Sequence, residues 1–169
     1  MPKEEFWEIM EKGRFVKPRL HRAWLAFLYY VGCRKTEALL LTPKSFEIQG
    51  EELLVDVPPL KHGIERDVFR LDLNLPYVDV IVEQLQKTRK GRRVWPFDET
   101  TGWRIVKRAA GEKYYPHFFR LNRCVKFLNN KDLTLNEVRQ WFAWKSLKTV
   151  DSYLGYSDRT MKKLSRTLE

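Results

Sequence analysis

A chain of 169 residues, 43% of them hydrophobic, is long enough to bury a core, yet its longest apolar run falls far short of a membrane span. Its 32 Lys and Arg against 22 Asp and Glu leave a formal charge of +10, which favours an anionic partner, nucleic acid first. The opening MPKEEFWEIMEKGR is charged, unlike a signal peptide, and the two cysteines exclude a disulfide framework. Cys33 and Cys124 are expected to be half-buried free thiols in a reducing cytoplasm. No Cys/His cluster has metal-ligand spacing, so neither metal nor cofactor is expected.

In chain order, Pro2 and the acids Glu4 and Glu5 open a first helix, with Phe6, Ile9 and Met10 on its apolar face and Gly13 at its end. A stronger helix is predicted from Pro18 to Val31, with Leu20, Trp24, Phe27, Leu28 and Val31 as its stripe. Gly32 breaks it, and a third short helix runs from Arg34 through Leu41. Arg34 then lies near the core boundary, where an unpaired arginine is rare. It fits an i, i+3 ion pair with Glu37 or a phosphate contact, and the residues alone leave both open.

Phe46–Ile48 and Leu53–Val57 read as strands about a turn at Gly50, and Pro58-Pro59 marks a strand end. Residues 61–65 read as a hairpin tip with Lys61 beside the turn, and Arg66–Leu71 as the return strand. A helix follows from Pro76 to about Arg89, with Val78, Ile81, Val82 and Leu85 inward. The run Lys87, Arg89, Lys90, Arg92, Arg93 is either a solvated loop or a contact to a phosphate backbone. From Thr100 to Ala110 the spacing predicts a helix with Trp103, Ile105, Val106 and Ala109 facing the core. Arg104, Lys107 and Arg108 form its basic outer face.

The helix opening at His117 carries Phe118, Leu121, Val125 and Leu128 as its predicted stripe, and places His117 and Arg120 on one face. A further helix from Leu135 to Ala143 buries Val138, Trp141 and Phe142. A short one spans Ser146 to Tyr153, and the tail from Arg159 to Glu169 reads as a last helix, apolar at Met161, Leu164 and Leu168. The fold class is α+β, mainly helical, with a small antiparallel sheet. His21 and His62 read as surface residues, and Trp144 taken alone fits a core position.

Five stretches together resemble the tyrosine recombinases, the phage-integrase family. Gly32-Cys33-Arg34-Lys35-Thr36-Glu37 is similar to the G-x-R-x-x-E box, and Lys61 with Arg66 and Val68 to the β-hairpin lysine segment. His117-Phe118-Phe119-Arg120 resembles the H-x-x-R box. Trp144, 24 residues after Arg120, falls where the family carries His or Trp, and Tyr153, nine residues further, falls on its nucleophile. Many members have Gly-His where this chain has Ala143-Trp144. The FAWKS stretch has the flavour of archaeal integrases.

The resemblance implies a recombinase catalytic-domain fold over 1–169 without the N-terminal core-binding domain, acting on double-stranded DNA in the cytoplasm, at the nucleoid. It implies site-specific cleavage and rejoining through a 3′-phosphotyrosine. Arg34 and Arg120 would hold the phosphate and Lys61 would be the general acid. His117 would bind the phosphate or assist Tyr153, Trp144 would wall the pocket, and Glu37 would hold Arg34 or His117. Guanidinium suits the first role because its planar fork matches two phosphate oxygens. Tyr156, three residues past Tyr153, is a rival nucleophile. The family also implies assembly on DNA as a tetramer, with the C-terminal helix as the expected contact. Type IB topoisomerase chemistry and a non-catalytic DNA-binding protein are the alternatives.

Overall fold

The computed structural model describes residues 1–60, 64, 65 and 67–154, apart from the side chains of 151, 152 and 154. Lys61, His62, Gly63, Arg66 and everything from Gly155 on, including Tyr156 and the expected last helix, lie outside the described residues. The described chain is mainly helical with one three-stranded antiparallel sheet, the α+β class read from the sequence.

The helix α2, Pro18–Val31, is the hub. Nine of its residues are buried, among them His21, Trp24, Phe27 and Tyr29, so it is enclosed nearly all round rather than along one stripe. His21 is therefore not the surface residue expected. Helix α1, Lys3–Lys12, lays Phe6, Ile9 and Met10 into the same core, with Phe6 stacked on Tyr29. After Gly32, helix α3 is a single turn, Lys35–Ala38, shorter than expected. The N–H groups of Leu40 and Leu41 reach back three residues, to the Glu37 and Ala38 carbonyls, which tightens the turn and leaves Leu40 exposed ahead of Pro43.

Strands β1, Phe46–Gln49, β2, Glu52–Val55, and β3, Phe69–Asp72, pair in that order. Leu53, Val55, Phe69 and Leu71 alternate into the core, with Val55 opposite Phe69. Pro58 and Pro59 lack the N–H a ladder needs, and β3 begins at Phe69 rather than Arg66. The hairpin tip expected at 61–65 falls largely on Lys61, His62 and Gly63, which lie outside the described residues.

Helix α4 is Val78–Lys87 and α5 is Glu99–Ala110. Gly102 of α5 meets Trp24, whose Nε1 donates to its carbonyl at 3.2 Å, and a Cβ there would lie 3.3 Å from the Trp24 ring. That contact turns Trp103 outward, 42% exposed, against the expected core position. Helices α6, Pro116–Asn129, α7, Leu135–Trp141, and α8, Lys148–Leu154, complete the fold. On α6 the buried side chains are Phe119, Arg120, Cys124 and Leu128, while Phe118, Leu121 and Val125 are only partly covered. The expected stripe is rotated because Arg120 is drawn inward. Cys33 and Cys124 are both fully buried, not half-buried. A second apolar cluster, Cys124, Leu128, Val138, Phe142, Trp144 and Val150, packs α6 against α7 and α8, beside the main core.

Candidate active site

Helix α2 ends at Gly32 with φ 62°, a left-handed turn that glycine adopts without strain. The turn delivers Arg34 to the N-cap of α3. Glu37, fully buried, accepts the Arg34 backbone N–H through Oε2 (3.0 Å) and its guanidinium Nη1 through Oε1 (2.9 Å). The ion pair open at the sequence level is therefore present. The Arg34 side chain stays 40% exposed, which leaves donors facing outward.

Arg120 is the least expected placement: only 1% of its surface is exposed. Nη1 donates to the Gly32 carbonyl (3.2 Å) and Nη2 to the Phe142 carbonyl (3.1 Å), and the guanidinium lies 4.6 Å from the Phe142 ring centroid and 5.6 Å from that of Trp144. Two carbonyl acceptors and two ring faces offset the desolvation of the cation. Burial, then Arg34, lower its pKa, opposed by Glu37, Tyr153 and Cys33. One turn earlier, His117 is exposed on the helix surface. Partial desolvation, then Arg120 and Arg34, hold its pKa below the usual histidine range, which favours the neutral imidazole.

Helix α7 starts with a capping box between Thr134 and Glu137 and gives way to Phe142, after which Ala143 adopts φ 52°. Trp144, 4% exposed, lies between the rings of Phe142 (4.8 Å, 26°) and Tyr153 of α8 (5.0 Å, 24°). Its backbone N–H donates to the Arg139 carbonyl (3.0 Å). The β2–β3 connection is tied to this loop: Ile64 N–H donates to the Ala143 carbonyl (3.3 Å) and Gln140 Nε2 to Asp67 (3.2 Å).

Arg34, Glu37, His117, Arg120, Trp144 and Tyr153, from the α2–α3 turn, α3, α6, the α7–α8 loop and α8, are thus brought into one neighbourhood. Lys61 lies outside the described residues. The sequence reading missed the carbonyls of Gly32 and Phe142 that hold Arg120, and also Arg123, one turn further along α6. No side-chain pattern marks a carbonyl, but an arginine three residues after Arg120 on an apolar helix was a legible signal. Away from the site, Lys87, Arg89, Lys90, Arg92 and Arg93 are exposed, and no described carboxylate forms an ion pair with them. Arg104 and Arg108 are exposed as well, whereas Lys107 is turned towards Glu112 (3.4 Å) and the Trp103 ring (5.1 Å).

No protein-family model matches the chain, and no curated protein does. Among solved structures it is similar to XerH site-specific recombinase bound to its difH substrate in a pre-cleavage complex. That match has 18% identity and a TM-score of 0.71, and covers 89% of this chain and 47% of the other. XerA recombinase matches over the whole chain and 62% of its own, at 17% identity and TM-score 0.69. A post-cleavage complex of XerH on a palindromic difH substrate matches at 17% identity and TM-score 0.68, over 96% and 50%. The fold is that of a tyrosine-recombinase catalytic domain. The chain spans roughly half the length of these recombinases. Among the described residues no helix is long and apolar enough to cross a membrane.

Proposed function

We propose that this chain is the catalytic part of a site-specific DNA recombinase or integrase, of a kind carried by mobile elements. It binds double-stranded DNA in the cytoplasm, at the nucleoid, and assembles there as a tetramer through the C-terminal segment. The observation that carries the reading is the convergence of Arg34, His117, Arg120, Trp144 and Tyr153 from separate segments onto one corner of this fold.

In this reading the Tyr153 phenol oxygen attacks the scissile phosphorus, and the P–O5′ bond breaks to leave a 3′-phosphotyrosine. Neutral His117 takes the phenolic proton. Lys61 gives a proton to the leaving 5′-oxygen. Arg34 and Arg120 stabilise the charge that gathers on the non-bridging oxygens, the role in which fixed cations contribute most. Trp144 walls the pocket and supports the Tyr153 ring. Religation reverses the steps with a different 5′-hydroxyl. The Phe142 carbonyl supports the same reading, because a guanidinium held by a loop carbonyl can exchange that acceptor for a phosphate oxygen without losing a bond.

The test is a suicide duplex, nicked just downstream of the scissile phosphate so that the short fragment bearing the free 5′-hydroxyl diffuses away, followed by mapping of the residue left attached to DNA. Attachment at Tyr153, lost in Tyr153→Phe while DNA binding persists, is the expected result. Attachment at Tyr156 would move the nucleophile. No attachment at all would leave a DNA-binding protein on a recombinase fold. Relaxation of supercoils without exchange between two sites would make the enzyme a type IB topoisomerase instead.

A further inference from the structure

The last carbonyls of a helix have no partner within it and form its negative pole. At the end of α2 the carbonyls of Leu28, Tyr29, Val31 and Gly32 are each taken by a different donor. Leu28 receives the Gly32 N–H (3.0 Å), Val31 the Trp141 Nε1 (3.0 Å) and Gly32 the Arg120 Nη1 (3.2 Å). Tyr29 receives Arg123 Nη2. Arg123 stands three residues after Arg120 on α6, so two guanidiniums on adjacent turns grip the same helix end, either side of the turn that leads to Arg34. The Arg123 guanidinium also lies 5.4 Å from the Tyr29 ring centroid and 5.7 Å from that of Phe127. A Cβ built on Gly32 would approach the Arg123 Cβ to 3.0 Å, so the turn and this side chain are packed directly against each other.

Nothing in the recombinase resemblance requires a cation at this position. Its Nε is buried without a hydrogen-bond partner, and no described carboxylate forms an ion pair with it. A buried guanidinium with an unmade bond is a poor source of stability. What it does fix is place.

The geometry points to Arg123 as a positioning residue: by clamping the Tyr29 carbonyl it sets the end of α2, and thereby the Gly32 turn from which Arg34 and the acceptor of Arg120 are both presented. The catalytic consequence rests on the proposed function; the positional one does not. The two are therefore read separately.

The reporter of position is His117, whose pKa is lowered by partial desolvation and then by Arg120 and Arg34, the two groups presented from the Gly32 turn and held by it. Its imidazole titration is followed by proton NMR in the full chain, assigned by His117→Gln, and compared between wild type, Arg123→Met and Arg123→Lys. Methionine keeps the packing and removes the clamp; lysine keeps a donor for the Tyr29 carbonyl. The expected result is an upward shift of the His117 titration towards its ordinary value in Arg123→Met and near-wild-type titration in Arg123→Lys. Single-turnover attachment to the suicide duplex should fall about tenfold or more in Arg123→Met, with duplex affinity within about twofold, and most of the rate should return in Arg123→Lys.

An unchanged His117 titration in folded Arg123→Met overturns the proposal. If wild type itself never attaches to DNA, the recombinase reading fails and the titration alone still decides Arg123. Should the methionine variant not fold, Arg123→Gln takes its place under the same criterion. If neither folds, Arg123 serves stability, which overturns the proposal too.

Discussion

At the scale of single residues, His117 carries the clearest consequence. Partial desolvation, Arg120 and Arg34 all act against its protonation in the fold, while the unfolded chain restores an imidazole of pKa about 6.5. Its stabilising contribution is complete above that value and is lost as pH falls towards the depressed folded one, because the unfolded state then binds the extra proton. His21 moves the same way, by burial and then Arg108 and Lys17. The thermal midpoint should therefore decline between pH 7 and 5.5, before the depressed carboxyls of Glu5, Asp98 and Glu137 begin to matter. Replacing His117 with Gln should flatten part of that decline, and adding His21→Gln should flatten more. Parallel pH profiles in all three proteins would mean that neither histidine is linked to folding. Ala143 makes a related point. The chain departs from glycine there, and the backbone at that position is left-handed, the conformation that glycine adopts most readily. The departure is tolerated where the Ile64 N–H and the packed Trp144 side chain hold the turn.

At the scale of elements, most boundaries were legible and one rotation was not. Helices α1, α2 and α5 announce themselves by apolar spacing and by the Gly or Pro at their ends. The face of α6 could not be read that way, because a hydropathy stripe places arginine outside and has no knowledge of the carbonyls of Gly32 and Phe142 that bring Arg120 in. The order of the catalytic-type boxes was legible, but their convergence was known only through a resemblance. The rotation of α6 can be tested with thiols. Cys124 lies on the buried face, and burial pushes its pKa up to about 12, far from a reactive thiolate. Neither cysteine should react with a water-soluble disulfide reagent until the chain unfolds. Rapid labelling of Cys124 in the native state would restore the stripe of Phe118, Leu121 and Val125. The β2–β3 connection is the other element at stake. If Lys61 is the proton donor, Lys61→Ala should slow cleavage by about a hundredfold or more. A substrate with sulfur at the bridging 5′ position, whose leaving group needs little protonation, should rescue that variant but neither Arg34→Ala nor Arg120→Ala. Failure to rescue Lys61→Ala removes it from that role.

At the scale of the whole molecule, a charge of +10 acquires meaning from where the cations are and whether they are already neutralised. Lys87, Arg89, Lys90, Arg92 and Arg93 are exposed together at and just past the end of α4. Lys107 is the internal control: it belongs to the same basic sequence pattern, but the fold gives it a carboxylate and an aromatic ring. Each cation that neutralises a duplex phosphate releases counterions, so log Kd against log salt should lose about 0.9 in slope for each contact removed. Arg92→Ala and Arg93→Ala should each lower the slope by about one unit and weaken binding equally on unrelated sequences, since phosphate contacts carry no base information. Lys107→Ala should lower it by clearly less, because Glu112 has already taken part of its charge. The measurement is fluorescence anisotropy of a labelled duplex from low to moderate salt. Equal slopes in wild type and the loop variants would make the run a solvated loop and move the DNA track elsewhere. A full unit lost in Lys107→Ala would instead show that the Glu112 pair opens when DNA arrives.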